Sequence, residues 1–98
     1  MKNFKEILTT IYNELSKNSN GLKKNQLLKA IQNNDLSKYE FYYYHWVLSI
    51  LKKHHFIWFK GDDIDLYSSD VVVYLGFKGM GSSEEDFVKY GFEALMQA

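Results

Sequence analysis

The amino-acid sequence predicts a single α+β domain, and three observations predict it. Apolar residues recur at helical spacing in three long stretches, the pattern changes to period two directly after Lys52-Lys53, and Gly61-Asp62-Asp63 lies where two alternating runs would be joined by a turn. Ninety-eight residues suffice for one core and not two. We expect residues 1–68 to form the core of the domain and residues 69–98 to add a link or strand and a C-terminal helix.

Each element has its own warrant. From Asn3 to about Lys17, Phe4, Ile7, Leu8, Ile11, Tyr12 and Leu15 repeat at i, i+3, i+4, i+7, i+8 and i+11, the pattern of a helix with one buried face. Asn18-Ser19-Asn20-Gly21 reads as a turn. A second helix over 23–32 follows, with Leu27, Leu28 and Ile31 inward, and Asn33-Asn34-Asp35 ends it; Leu36 is expected to plug the core. Ser37 with Glu40 three residues on is a capping box for the third helix, 38–53, whose inner face is Phe41, Tyr44, Val47, Leu48 and Leu51. Lys52 and Lys53 suit its C-terminus. Then come two alternating runs, the first placing Phe56 and Trp58 on one face and Ile57 and Phe59 on the other, the second spanning Ile64 to Ser68. Val71 to Leu75 is β-rich and expected to extend the sheet or pair with its edge. Gly76, Gly79 and Gly81 read as a flexible link, because neither G-x-G-x-x-G nor the Walker pattern is present. Ser82 or Ser83 caps a last helix whose first turn is Glu84-Glu85-Asp86 and whose stripe is Phe87, Val88, Gly91, Phe92 and Leu95.

Three short helices followed by a hairpin, with LSILKKHHFIWFKGDDIDLYS carrying the junction, resemble the winged helix-turn-helix domains of small bacterial, phage and archaeal regulators. The resemblance covers about the first 68 residues and consists of apolar spacings. It implies a winged helix of three helices plus a β-hairpin wing, with 23–32 as the support helix and 38–53 as the recognition helix. Such domains often place Gly before the first wing strand; this chain has His54-His55 there. Their DNA-contacting wings usually carry Lys or Arg, whereas this tip is Gly61-Asp62-Asp63.

Composition narrows the chemistry. Without cysteine there is no disulfide, thiolate nucleophile or sulfur ligand. Apolar runs are too short to span a bilayer, and the N-terminus interleaves Lys and Glu through its apolar positions, unlike a secretion signal, so no membrane partner is expected and the cytoplasm is the expected location. All twelve basic residues are lysine, which removes the bidentate fork that grips guanine edges. Residues 1–60 hold ten lysines against four acids, net +6, and residues 61–98 hold two lysines against eight acids, net −6. The chain is therefore expected to be a dipole with a polyanion-binding half.

The leading expectation is a DNA-binding protein, a small transcriptional regulator that meets double-stranded DNA. Lys38, Tyr39, Tyr42, Tyr43, His45, Trp46 and Ser49 are expected on the outer face of the recognition helix, with Lys23, Lys24 and Asn25 beside them at the start of the support helix. Of these, Lys23, Lys24, Asn25, Lys38, Tyr39, Tyr42, Tyr43 and Trp46 are the candidate DNA contacts. The alternative is a winged-helix module specialised for protein–protein interaction through the aromatic helix face and an acidic wing. Stacking of single-stranded nucleic acid on Tyr42, Tyr43 and Trp46 is a third use of the same rings. The last helix is expected to pack on the first or to pair two chains as a homodimer. No metal site is expected, since no helix carries an i, i+4 His pair, and no cofactor or enzymatic activity, since no nucleophile–base or acid–base pair converges.

Overall fold

In the computed structural model of the chain, residues 3–32, 38–60 and 71–98 are described, with only the backbone for residues 38–41. The fold is α+β. Its elements are α1 (Phe4–Lys17), β1 (Leu22–Lys23), α2 (Lys24–Gln32), α3 (Lys38–Lys53), β2 (Ile57–Lys60), β3 (Val72–Leu75), α4 (Phe77–Met80) and α5 (Glu84–Met96). The strands form an antiparallel sheet in the order β1-β3-β2, compatible with a winged-helix arrangement.

α1 forms where its apolar stripe predicts. Asn3 caps it, the side-chain oxygen accepting from the Glu6 N–H at 2.9 Å, and Ile7, Leu8, Ile11 and Leu15 are buried. The turn that follows delivers an unexpected strand. Gly21 adopts φ +92°, and a Cβ there would lie 2.6 Å from Val72 Cγ1 and 2.8 Å from the Val73 oxygen, so only glycine lets the chain come close enough to pair Leu22 with Val73 and Lys23 with Val72. Two residues are too few for a period-two pattern to register. This strand shortens the second helix, which starts at Lys24 rather than Lys23.

β2 pairs with β3 from Ile57↔Leu75 to Lys60↔Val72. Among the described residues the partner of β2 is thus Val72–Leu75, the β-rich run expected to extend the sheet or pair with its edge; the other expected partner is the Ile64–Ser68 run. That run, the Gly61-Asp62-Asp63 tip, Leu36 and the Ser37 cap lie outside the described residues. Ile57 and Phe59 face the core while Trp58 and Lys60 face outward. Phe56 does not share a face with Trp58 as expected; it precedes the strand and is buried with Leu51.

The link over 76–81 is a built joint rather than a flexible segment. The Gly76 N–H donates to the Phe56 oxygen at 3.0 Å and the Lys78 N–H to the His55 oxygen at 3.1 Å. A Cβ on Gly79 would collide with the Phe56 oxygen. α5, capped by Ser83 Oγ accepting from the Asp86 N–H at 3.2 Å, then lies on α1 and α3. Phe87 and Leu95 are buried there, and Tyr12 donates its hydroxyl proton to the Ser82 oxygen at 2.8 Å. The α5 stripe, expected to pack on the first helix or to pair two chains, packs on α1 within the chain, with Phe87, Gly91 and Leu95 buried and Val88 and Phe92 half-buried.

Candidate nucleic-acid interface

α3 positions the candidate surface, and its C-terminus fixes how it meets the sheet. The Phe56 N–H donates to the Leu51 oxygen and the His55 N–H to the Lys52 oxygen, both at 3.0 Å, with His55 at φ 67°. This paired-bond ending, with a left-handed residue after the helix and an apolar contact across it, is the Schellman motif. His55 thus occupies a left-handed position of the kind that glycine favours. Its ring stacks between Phe77, at 4.9 Å, and Trp58, at 6.1 Å.

Around α3 the side chains divide by angle. Tyr44, Val47, Leu48 and Leu51 are buried as expected. Tyr42 and Trp46 are exposed, at 51% and 38%, and the Lys53 side chain is exposed one turn beyond Ser49. Tyr43 is half-buried: its ring stacks on Phe4 at 5.9 Å, and Trp46 and Phe92 close around the same Phe4 ring at 6.2 and 6.1 Å. This aromatic cluster ties the α1 N-terminus and α5 to α3 and holds Trp46 in place. Burial, and secondarily the neighbouring Tyr44 hydroxyl, pushes the Tyr43 hydroxyl above its ordinary pKa.

One candidate contact, Lys24, and one residue expected on the outer face of α3, His45, do not survive. Lys24 is fully buried, because β1 turns the chain into α2 directly against β3, where the Lys24 N–H donates to the Val71 oxygen at 2.8 Å. It cannot reach a phosphate. His45 is also buried, one position round the helix from the outer face. Lys23 and Asn25 are exposed. Lys38 and Tyr39 belong to the first turn of α3, whose side chains lie outside the described residues. Ser49 is half-buried and donates its hydroxyl proton to the Trp46 oxygen at 2.8 Å.

The sheet contributes a lysine that the sequence pattern did not single out. Lys23 and Lys60 both pair with Val72 from opposite sides, and facing residues of an antiparallel ladder point the same way, so the two ammonium groups share the outer face of the sheet. At strand spacings of about 4.8 Å the pair stands on the order of 10 Å apart. Only knowledge of β1 and its register could have joined them. Lys52, by contrast, lies over the Trp58 and Phe59 rings at 5.1 Å each and is engaged in packing.

Among the described residues no cluster of His, Cys, Asp or Glu is arranged to hold a metal ion, and no helix is long and apolar enough to cross a membrane. Comparison with protein-family models, with curated proteins and with solved structures gives no significant match.

Proposed function

We propose that the protein is a winged-helix DNA-binding protein, a small cytoplasmic transcriptional regulator rather than an enzyme. The observation that carries this reading is the uncovered outer face of α3, with Tyr42, Trp46 and Lys53, in a chain whose strand order is β1-β3-β2 and whose sheet adds exposed Lys23 and Lys60. In this reading α3 enters the major groove, the lysines and Asn25 meet phosphates, and the rings contribute apolar and hydroxyl contacts to base edges. With lysine in place of arginine, positioning on the backbone outweighs base reading, so sequence discrimination is modest. The protein works as a homodimer, presenting two α3 helices to successive groove turns roughly 34 Å apart.

The test is fluorescence anisotropy on mixed-sequence duplex DNA at rising salt. Affinity is expected to fall with a log–log slope of about −2 to −4, as a few lysine contacts require. The double variant Lys23→Glu/Lys60→Glu should weaken binding by about tenfold or more at low salt. A slope near zero, or full affinity in the double variant, would overturn the reading.

A second reading is favoured by one observation: Tyr42 and Trp46 are exposed aromatic anchors on a helix already immobilised by the Phe4 cluster, which suits a protein partner. The aspartates at 62, 63, 65 and 70 add an acidic segment between the strands in sequence. Absence of duplex binding even at low salt would favour this protein-interaction module.

A further inference from the structure

The most exposed large apolar side chains of the described residues are not on α3. Phe77 and Met80 are 65% and 68% exposed, although they sit on the short helix α4, which glycine contacts and backbone hydrogen bonds hold against the start of β2. Free apolar side chains on a loose loop would need no explanation. Here the backbone is fixed and the side chains are aimed outward, and such an arrangement lowers the conformational entropy lost when a partner covers them.

Beside this projection lies a recess. A cavity of about 520 Å³ opens between the end of α3, α4 and α5, with His54, Phe56, Tyr90 and Ala94 among its walls and with Lys78 and Glu93 bringing opposite charges to it. Phe77 belongs both to this cavity and to a second of about 210 Å³ that reaches Trp58, Tyr74 and Met80 on the sheet side. Trp58, Phe77, Met80 and Tyr90, all exposed, therefore form one continuous apolar face, a size and continuity that in a small domain mark an interaction surface.

We propose that this face joins two copies of the chain about a two-fold axis, α4 of each copy entering the recess of the other. The choice of occupant rests on self-complementarity. A two-fold interface uses the same patch twice, so the patch must hold both a projection and a hollow and must not repel itself. This face has Phe77 and Met80 beside a hollow of suitable size, and Lys78 beside Glu93 rather than charge of one sign. A polyanion or a strongly acidic or basic peptide would meet an unlike and a like charge together. A second copy, turned through 180°, sets Lys78 of each chain against Glu93 of the other. The pairing supplies an interface for the proposed homodimer and is separate from the Tyr42–Trp46 face of α3, although its Trp58 lies on the same outer face of the sheet as Lys60. The oligomeric state without DNA therefore tests it apart from DNA binding.

The experiment is sedimentation equilibrium on the full chain without DNA, from about 1 to about 200 μM. The expected mass rises from that of the 11.6 kDa chain toward twice that value. Phe77→Glu and Met80→Glu, both at exposed positions, should give monomers with unchanged circular dichroism, and Tyr42→Glu should leave the dimer intact. Lys78→Glu should raise the dissociation constant by about tenfold, and Lys78→Glu combined with Glu93→Lys should restore it to within about threefold. A monomer throughout the range, a dimer that survives both glutamate substitutions, or a charge exchange that fails to restore affinity would each overturn the proposal.

Discussion

His55 shows how much one residue's backbone state can decide. At φ 67° it occupies the left-handed region, which costs an L-residue roughly 1–2 kcal/mol and which glycine or asparagine tolerates better. Its ring offsets part of that cost by stacking on Phe77 and Trp58. A β-branched side chain has the strain without the stack. His55→Val should therefore be less stable than His55→Gly by about 1–2 kcal/mol in urea unfolding, with equal m-values. Lys24 carries a prediction of the opposite kind to the one its charge invites. Being fully buried, it should respond to Lys24→Glu with a loss of about 3 kcal/mol of stability, read by thermal melts, and with no DNA-specific defect in whatever fraction remains folded. At Tyr43 the shift gives a pH dependence. Its hydroxyl ionises at higher pH in the folded chain than in the unfolded one, chiefly through burial, so the folded state holds the proton more tightly. The resulting stability is complete below the ordinary tyrosine pKa and is lost as pH rises through the folded value. Unfolding in urea at pH 9 and pH 11 should show a smaller alkaline loss in Tyr43→Phe than in the parent chain.

α5 changes what the domain is. The first helix could not bury its whole stripe against α2 and the sheet alone, and α5 supplies the missing side with Phe87, which meets Tyr12 at 5.2 Å and Phe56 at 5.7 Å. Phe87→Ala should cost about 3–5 kcal/mol by leaving a cavity between three elements. Truncation after Ser83 should abolish cooperative unfolding, because Leu8, Ile11 and Leu51 would then face water. α4 is the complementary case, an element defined by backbone contact rather than by its own side chains. Gly79→Ala would drive a methyl into the Phe56 oxygen, so α4 should detach or shift, with amide exchange at Lys78 and Met80 accelerated by about tenfold or more. Such a variant keeps the side chains of Phe77 and Met80 and loses only their placement, which separates preorganisation from apolar area in the pairing of two copies.

For the molecule as a whole, charge and apolar surface lie side by side. The lysines of the first sixty residues reach the outer sheet face at Lys23 and Lys60 and the end of α3 at Lys53, while acids gather in the first turn of α5. A polyanion would meet the lysines and a second copy the α4 face, with Trp58 and Lys60 neighbours on the outer face of the sheet. At raised salt the first contact should weaken with the lysine count, whereas the α4 pairing, mainly apolar, should change by less than about threefold.

Much of this was legible in the residues themselves. α1, α3 and α5 follow from apolar periodicity, and the start of α5 from a cap at Ser82 or Ser83, since helix formation depends on neighbours three and four positions away. So does the inner face of α3, from Tyr44 to Leu51. What the sequence could not determine depends on distant backbone. β1 is two residues long and exists only because Gly21 lets it lie against β3, and that one contact buries Lys24 and brings Lys23 beside Lys60. The pairing of β2 with Val72–Leu75 was decided by ladder register, which no local pattern encodes. α5 settled on α1 because that face was available within the chain, and α4 took its place because Gly76 and Gly79 lack the atoms that would have kept it away. Periodicity reports which side of an element is apolar; only tertiary packing decides what covers that side and which charges are left in water.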